Sequence, residues 1–257
     1  MMRIRFFLSV IAICAIQTIC EPVFAQYTPV KFTYESIRVN SIYAGSSDSV
    51  ITNLIKPYKL SIQKEMNVVL ATSVSPIFAE KPEGSLNNLV ADAVFEIGKL
   101  QYKNSETGPI DFCLLNYGGL RKGLPEGDIL VENVYELMPF DNKLCVISLK
   151  GEQVVELFDF LASKNEGHPI ANCKVIVEKG VVKDVSIAGA PIDKDKIYKV
   201  VTNDYLSTGN DGMYFFKKAV RVEEIDFLIR DAIVEYIRII GSKPLNIQKD
   251  GRFIIKN

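Results

Sequence analysis

Three polar loops in the sequence combine residue types that bind organic ligands. Residues 116–121 place two glycines between an amide and a guanidinium, and residues 139–142 hold a phenylalanine among polar neighbours. Residues 203–212 present Tyr205 and, six positions later, Asp211. A ring in such a loop can stack on a planar ligand, and a carboxylate can accept hydrogen bonds from two vicinal hydroxyls. Taken singly, the first and third loops are also typical of plain turns, and a buried ring is the favoured interpretation of Phe140 in the second.

Histidine is scarce, and this limits the chemistry that the chain could perform alone. His168 is the single histidine among 257 residues, and it lies in a polar loop where a solvated side chain is the favoured interpretation. Hydrolytic zinc and dinuclear sites draw on several imidazoles, and acid–base catalysis often uses one. The chain also has 30 Lys and Arg against 31 Asp and Glu, so no basic excess points to nucleic acid.

The loops lie between segments whose apolar spacing predicts alternating helices and strands. Helices are predicted at residues 47–66, 86 to about 101, 131–137, 152–163 and 225–239, the last of them ended by Gly241. Strands are predicted at residues 67–74, 111–115, 143–149, 174–178, 181–187, 197–201 and 253–255. Because a hairpin and crossover helices are mixed, we expect a single α+β (mixed αβ) domain with a mixed sheet flanked by helices.

The N-terminal residues have the pattern of an export signal. Two arginines, a largely apolar run at residues 6–20 and Val23-Phe24-Ala25 predict a signal peptide over residues 1–25. A lead-in segment at 26–46 and the domain at 47–257 would follow, in the periplasm or outside the cell. Two alternatives are a transmembrane helix, for which the run is short, and a lipid anchor on Cys20, whose preceding residues fit poorly.

Three cysteines follow the predicted cleavage site, Cys113, Cys145 and Cys173. Their odd number argues against a disulfide scaffold, and their apolar surroundings predict buried thiols. A bridge between Cys113 and Cys145 remains an alternative if their strands are neighbours.

Four motifs, in their order and spacing, resemble the C-terminal, substrate-binding domain of the 5′-nucleotidase family. The family pattern runs Glu-x-x-Leu-Gly-Asn-Leu-x-x-Asp-Ala, Asn-x-Gly-x-x-Arg, Pro-Phe-Gly-Asn and Asn-Asp-Phe-x-x-x-Gly-Gly-Asp-Gly. This chain follows it at residues 83–93, 116–121, 139–142 and 203–212. The resemblance covers residues 47–220 and implies that the chain binds a nucleotide or a nucleoside.

The resemblance also implies roles for the loop residues. Phe140 and Tyr205 would clamp the nucleobase, with Tyr205 replacing the family's usual phenylalanine, and Asp211 would hold the ribose hydroxyls. Asn116 would contact the base or orient its loop. Arg121 would reach the sugar or the phosphate.

Polar neighbours of the clamp complete the implied site and raise one difficulty. Asn142 would give a polar contact beside the clamp. The family often has an arginine three residues before the motif glutamate, but this chain has Glu80 there. A carboxylate at that place would repel phosphate unless Lys81 or Lys122 substitutes for the arginine.

Family members usually carry a separate N-terminal metallophosphoesterase domain with several histidines. Residues 26–80 are too short for it, so we expect no catalytic or metal-ligating residue in this chain. The chain would contribute substrate specificity to phosphate-ester hydrolysis, with the divalent metal on a separate metallophosphoesterase chain. The alternatives are an exported nucleoside-binding or nucleotide-binding module without catalysis, and an envelope protein that uses the fold for protein contacts.

Overall fold

A computed structural model describes residues 49–103 and 108–256. Residues from Asn53 onward form one compact unit, and Ser49 to Thr52 are the first turn of a helix. The predicted signal peptide and lead-in segment lie outside the described residues. Within the described ranges, no helix is both long and apolar enough to cross a membrane.

The predicted alternation of helices and strands is confirmed. The helices are α1 (Ser49–Met66), α2 (Ser85–Gln101), α3 (Val131–Leu137), α4 (Gly151–Lys164), α5 (Asp204–Ser207) and α6 (Ile229–Ile240). The strands are β1 (Val69–Ser73), β2 (Phe112–Leu114), β3 (Gly127–Leu130), β4 (Lys143–Lys150), β5 (Ile170–Ala171), β6 (Cys173–Glu178), β7 (Val181–Ile187), β8 (Ala190–Pro191), β9 (Ile197–Asn203), β10 (Arg221–Leu228) and β11 (Phe253–Lys256). Short 3₁₀ turns cover Tyr117–Gly119, Asn210–Gly212 and Tyr214–Lys218.

The strands form three sheets, two of which mix parallel and antiparallel pairs, and this confirms the α+β class. The central sheet has the order β10-β4-β9-β2-β5, and in it only β2 and β9 are parallel. A four-stranded sheet has the order β11-β6-β7-β8 and contains the predicted hairpin β6–β7. β1 and β3 form an antiparallel pair.

The central sheet is buried on both faces because its strands alternate apolar residues between two clusters. On β4, Leu144 and Val146 pack in the cluster that contains α2 and α6 residues. Cys145 and Ile147 pack in the other cluster, with α4 and the four-stranded sheet. β9 is buried from its second residue to its last, as a central strand requires.

The predicted start of the last helix is wrong. Ile225 belongs to β10, which pairs antiparallel with β4, and α6 begins only at Ile229. The 3-4 apolar spacing runs through both elements, so the local pattern does not separate them. The strand forms because it pairs with β4, which would otherwise be the edge strand of the sheet. β4 lies about 75 residues earlier in the chain, so this pairing is not a local property.

Cys113, Cys145 and Cys173 are buried free thiols, as predicted. Cys113 and Cys145 cannot be neighbours across a strand pair, because β9 lies between β2 and β4. Burial raises the pKa of Cys145 to about 11, which keeps this thiol protonated and unreactive at neutral pH.

Candidate functional site

The three loops meet at one edge of the central sheet because of strand direction. β2 and β9 are parallel, so the loops that follow them leave at the same edge. β4 is antiparallel to β9, with Leu144 opposite Asn203, so the loop that precedes β4 arrives at that edge as well. Loops that are far apart in the sequence are thereby brought together.

The first loop, residues 116–121, is fixed at both ends by backbone hydrogen bonds. The amide of Leu115 donates to the carbonyl of Pro169 at 2.9 Å, and the amide of Arg121 donates to the carbonyl of Leu137 at 2.9 Å. The second bond joins this loop to the end of α3, just before the loop that carries Phe140.

The second loop, residues 139–142, is held by the first turn of α6. The amide of Ile229 donates to the carbonyl of Asn142 at 2.9 Å. The Arg230 guanidinium pairs with Asp141 at 2.8 Å and reaches the carbonyl of Phe140 at 3.5 Å. The loop backbone is anchored while the Phe140 ring stays 40% exposed. Nothing in the local sequence around Arg230 marks it as part of this region.

The third loop, residues 203–212, is shaped by a cap and a left-handed turn. The side chain of Asn203 accepts from the amide of Leu206 at 2.7 Å and caps α5. Gly209 (φ 84°) and Asp211 (φ 54°) are both in the left-handed region, which glycine enters freely and aspartate tolerates. This turn directs the chain so that Asp211 lies back against Tyr205.

The loops enclose a pocket of about 310 Å³, which we name the loop pocket. Its lining consists of Asn116, Gly118, Gly119, Arg121, Phe140, Asn142, Tyr205 and Asp211. All six residues that the sequence analysis selected for binding therefore line one pocket, and the two glycines come from the same motif. Two half-exposed rings, two amides, one carboxylate and one guanidinium suit a planar ligand with a polar, hydroxyl-bearing substituent.

Hydrogen bonds inside the loop pocket converge on Asp211. The Tyr205 hydroxyl donates to Asp211 Oδ1 at 2.8 Å, and Asn116 Nδ2 donates to Asp211 Oδ2 at 2.7 Å. The bond to Asp211 raises the pKa of Tyr205, so the phenol keeps its proton. Among the described residues, the carboxylate thus takes one donor on each oxygen.

Arg121 is the cation of the loop pocket. Its Nη1 donates to the carbonyl of Gly118 at 3.3 Å, and it forms no ion pair with any residue in the described ranges. The two lysines that could replace the family's arginine are neutralised instead: Lys81 pairs with Glu166 at 2.6 Å and Lys122 with Glu136 at 2.7 Å.

Glu80, at the family's arginine position, forms an ion pair with Lys249. Its backbone is held by the Asn87 side chain, which donates to the Glu80 carbonyl at 2.9 Å and accepts from the Glu80 amide at 3.3 Å. The Glu80 carboxylate and the lysine compensate each other, and neither lines the loop pocket.

The first motif, residues 83–93, lies outside the lining of the loop pocket and anchors the C-terminal segment. Glu83, 8% exposed, accepts from the amides of Asp250 and Gly251 at 2.9 and 3.1 Å. Asp92 pairs with Arg252 at 2.6 Å. Burial raises the pKa of Asp92, although Arg252 opposes that shift. The sequence pattern marks these residues but not their structural role.

The expected solvation of His168 is wrong. The residue is half-buried, and its Nδ1 atom is fully buried without a hydrogen-bond partner among the described residues. Gly167 packs directly on the backbone of Pro82, which draws the histidine loop inward. Burial lowers the pKa of His168, so it is neutral at neutral pH.

A divalent metal has no fitting site in the described part of the chain. Residues 49–103 and 108–256 contain no cluster of three or more His, Cys, Asp or Glu side chains that could hold one. The groups that line the loop pocket can stack on a planar ring, accept hydrogen bonds from hydroxyls and contact an anion.

A family model described as the 5′-nucleotidase C-terminal domain matches residues 68–218, more than half of the chain. The chain belongs to this family. The resemblance in the four motifs is thereby confirmed, and the three loops of this 5′-nucleotidase C-terminal domain fall inside the matched residues.

Two curated relatives share part of their length with this 5′-nucleotidase C-terminal domain. Protein UshA of Escherichia coli is 27% identical over 141 residues, which cover 53% of this chain and 25% of UshA. The 5′-nucleotidase of Vibrio vulnificus is 25% identical over 217 residues, covering 81% of this chain and 38% of that protein. The chain spans well under half the length of these relatives.

Solved structures show the same fold. A 5′-nucleotidase precursor from Thermus thermophilus superposes with a TM-score of 0.69 at 22% identity, over 84% of this chain and 45% of that one. The NAD nucleotidase of Haemophilus influenzae gives a TM-score of 0.63 at 16% identity, over 82% and 42%. Both confirm the predicted α+β architecture.

Proposed function

We propose that this chain binds the nucleoside part of a nucleotide in the loop pocket and supplies substrate specificity to nucleotide phosphate-ester hydrolysis. The observation that carries the proposal is the meeting of all six selected residues around one pocket of about 310 Å³. Phe140 and Tyr205 stack on the base, and Asp211 accepts from the ribose hydroxyls.

Stacking and hydrogen bonding both contribute to the affinity of such a site. Stacking on an aromatic side chain is worth about 1–3 kcal/mol per base. Phe140 is 40% and Tyr205 42% exposed, so both rings are accessible to a ligand without unfolding the core. Asn142 gives a polar contact beside the clamp, and Asn116 fixes the position of the Asp211 carboxylate.

The catalytic metal belongs, in this proposal, to a separate metallophosphoesterase chain. Divalent metals supply a hydroxide nucleophile for phosphate-ester hydrolysis when bound. This chain holds the base and the sugar, and Arg121 directs the phosphate outward. The exposed apolar residues of α1, among them Ile55 and Tyr58, line a depression of about 460 Å³ that supports docking of such a partner.

Export is part of the same proposal. The basic start, the apolar run and the small-residue site within residues 1–25 support cleavage and release to the periplasm or the cell exterior. Nucleotides outside the cytoplasm would then be the substrates, with nucleotide catabolism as the role.

A second candidate is an exported nucleoside-binding module without a catalytic partner. It is favoured by one observation: Lys81 and Lys122, which could attract phosphate, are already paired with carboxylates. A neutral nucleoside would then bind as well as its 5′-phosphate.

Calorimetry on the full-length mature chain tests the proposal. We expect binding of AMP and adenosine, and a loss of about tenfold in affinity for Phe140→Ala, because one stacking surface is removed. Tyr214→Ala, an exposed ring outside the loop pocket, is the matched control. No binding of purine or pyrimidine nucleosides or nucleotides, or equal losses in both variants, would refute it.

Partner dependence needs a second experiment. Co-expression with the metallophosphoesterase encoded nearest to this chain should give a co-purifying pair that releases phosphate from AMP in the presence of Mn²⁺. Phosphate release by this chain alone at the same rate would overturn the division of labour. Binding without any co-purifying partner would favour the nucleoside-binding module.

A further inference from the structure

Tyr205 differs from the other residues of the loop pocket because it presents both a ring and a polar end that contacts another proposed binding group. Its hydroxyl donates to Asp211 Oδ1 at 2.8 Å, within a single loop. A phenylalanine, which the family motif has at this position, keeps the ring but has no hydroxyl to donate.

Asp211 is consequently supplied with hydrogen bonds before any ligand arrives. Tyr205 serves one carboxylate oxygen, and Asn116 serves the other at 2.7 Å. An ionised carboxylate has about four acceptor positions, so roughly one remains on each oxygen for a vicinal diol. The two protein donors also fix the rotation of the carboxylate.

The loop around this pair is cross-linked by its own polar groups. Asn210 Nδ2 donates to the Tyr205 carbonyl at 2.9 Å and to Thr208 Oγ1 at 3.0 Å. Asp211 itself has a left-handed backbone, next to Gly212, which has φ 79°. The ring and the carboxylate are therefore held in one arrangement by bonds that do not involve a ligand.

A ligand that covers the carboxylate also excludes water from it. A site rejects an analogue that lacks a hydroxyl chiefly because a polar group of the site is then left unpaired. A carboxylate that already accepts a hydrogen bond from the protein on each oxygen is not left unpaired when the ligand lacks a hydroxyl, so the missing hydroxyl costs less binding free energy. Selectivity for a ligand with both ribose hydroxyls should thus be lower when the protein itself supplies hydrogen-bond donors to the carboxylate.

Building on the proposed function, we infer that the Tyr205 hydroxyl is a specificity-determining group that makes the loop pocket tolerant of 2′-deoxyribonucleosides and their phosphates. It does so by giving Asp211 a built-in hydrogen bond. The raised pKa of Tyr205 is in accord with this role, since the phenol remains a donor at neutral pH. The substrate class widens accordingly from ribosides to ribosides and deoxyribosides.

The test compares the affinities of adenosine and 2′-deoxyadenosine, by calorimetry on the full-length mature chain. For the unaltered chain we expect the two dissociation constants to agree within about threefold. In Tyr205→Phe, which keeps the ring, the preference for adenosine should rise to about tenfold or more. Tyr214→Phe makes the same change on an exposed ring outside the loop pocket and should behave like the unaltered chain.

The outcomes separate this inference from the proposed function. Adenosine binding with an equal or smaller preference in Tyr205→Phe than in the unaltered chain would overturn the inference and leave the proposed function intact. Failure of both nucleosides and of AMP to bind the unaltered chain would overturn both. Thermal unfolding of Tyr205→Phe close to that of Tyr214→Phe verifies that the comparison concerns folded protein.

Discussion

Arg230 on α6 and Asp141 in the second loop, residues 139–142, form an ion pair of 2.8 Å between a buried and an exposed side chain. The Arg230 side chain is 10% exposed and that of Asp141 82%. The guanidinium also stacks on the Tyr135 ring, with its carbon 4.2 Å from the ring centroid. The loop that carries Phe140 is thereby attached to α6 through one planar group.

This attachment predicts that Arg230→Lys weakens nucleoside binding although lysine keeps the charge. An ammonium cannot stack on Tyr135 and hold Asp141 with the same planar fork. We expect the adenosine dissociation constant to rise by about three- to tenfold and the unfolding free energy to fall by about 1 kcal/mol. Calorimetry and urea denaturation measure the two effects.

Asp141→Asn is the matched variant, since it removes the exposed partner of the same pair. Exposed ion pairs contribute about 0–1 kcal/mol, so its effect should be less than half that of Arg230→Lys. Equal effects in the two variants would contradict the stacking argument and assign the anchoring to the ion pair.

A second prediction concerns the anchor of the C-terminal segment. In Glu83→Gln an amide group replaces an acceptor that faces the backbone donors of Asp250 and Gly251. Because Glu83 is only 8% exposed, we expect the unfolding free energy to fall by about 1–3 kcal/mol. Adenosine affinity should change less than twofold, since Glu83 does not line the loop pocket.

Glu80→Gln provides the control for this change. Glu80 is about half exposed and pairs with Lys249 at the surface, so the variant should lose less than about 1 kcal/mol. If Glu80→Gln cost as much as Glu83→Gln, or if Glu83→Gln abolished binding, the structural role assigned to the first motif would be wrong.

The sequence is sufficient to single out the three loops of the loop pocket because the residue types and spacing within each loop are local properties. Residues 116–121, 139–142 and 203–212 each follow or precede a strand whose apolar run is evident. Their meeting at one sheet edge depends on strand direction and order, in particular the parallel pair β2–β9. The sequence pattern does not contain that information.

The remaining differences arise from contacts between distant residues. Asn116 and Asp211 are 95 positions apart, so their hydrogen bond cannot be inferred from either loop. The apolar spacing predicts a helix at the end of β10, where the structure has a strand. The local pattern cannot show this, because the pairing of that strand with β4 is not local. The polar neighbours of His168 in the sequence predict a solvated side chain. This prediction fails because the approach of Pro82 to the histidine loop is a tertiary contact, which the local sequence does not contain.

Burial of His168 predicts a dependence of stability on pH. Its folded pKa is lowered from the usual 6.5, so the stabilisation is present above that value and is lost as the pH falls through the folded pKa. We expect the unfolding free energy to decrease between about pH 7.5 and pH 5, where most carboxylates stay ionised. In His168→Gln the decrease should be smaller, as measured by urea denaturation at both pH values. Identical pH profiles for the two chains would exclude this origin.

Arg121 offers the sharpest distinction between a nucleotide and a nucleoside ligand. It is the only cation in the lining of the loop pocket, and among the described residues it has no carboxylate partner. A hydrogen bond to a charged group is worth about 1.5–3 kcal/mol, and solvent exposure reduces this value. We expect Arg121→Gln to raise the AMP dissociation constant about tenfold and the adenosine constant less than twofold.

The neighbouring Lys122 is the natural control for Arg121. It carries the same charge but pairs with Glu136 at 2.7 Å and does not line the loop pocket. Lys122→Gln should therefore change AMP binding less than about twofold, because its charge is already compensated by that carboxylate.

Calorimetry at low and moderate salt should show that Arg121→Gln also reduces the salt dependence of AMP binding. Equal losses for AMP and adenosine in Arg121→Gln would mean that this arginine shapes the loop, whereas no loss for either would favour a ligand without phosphate.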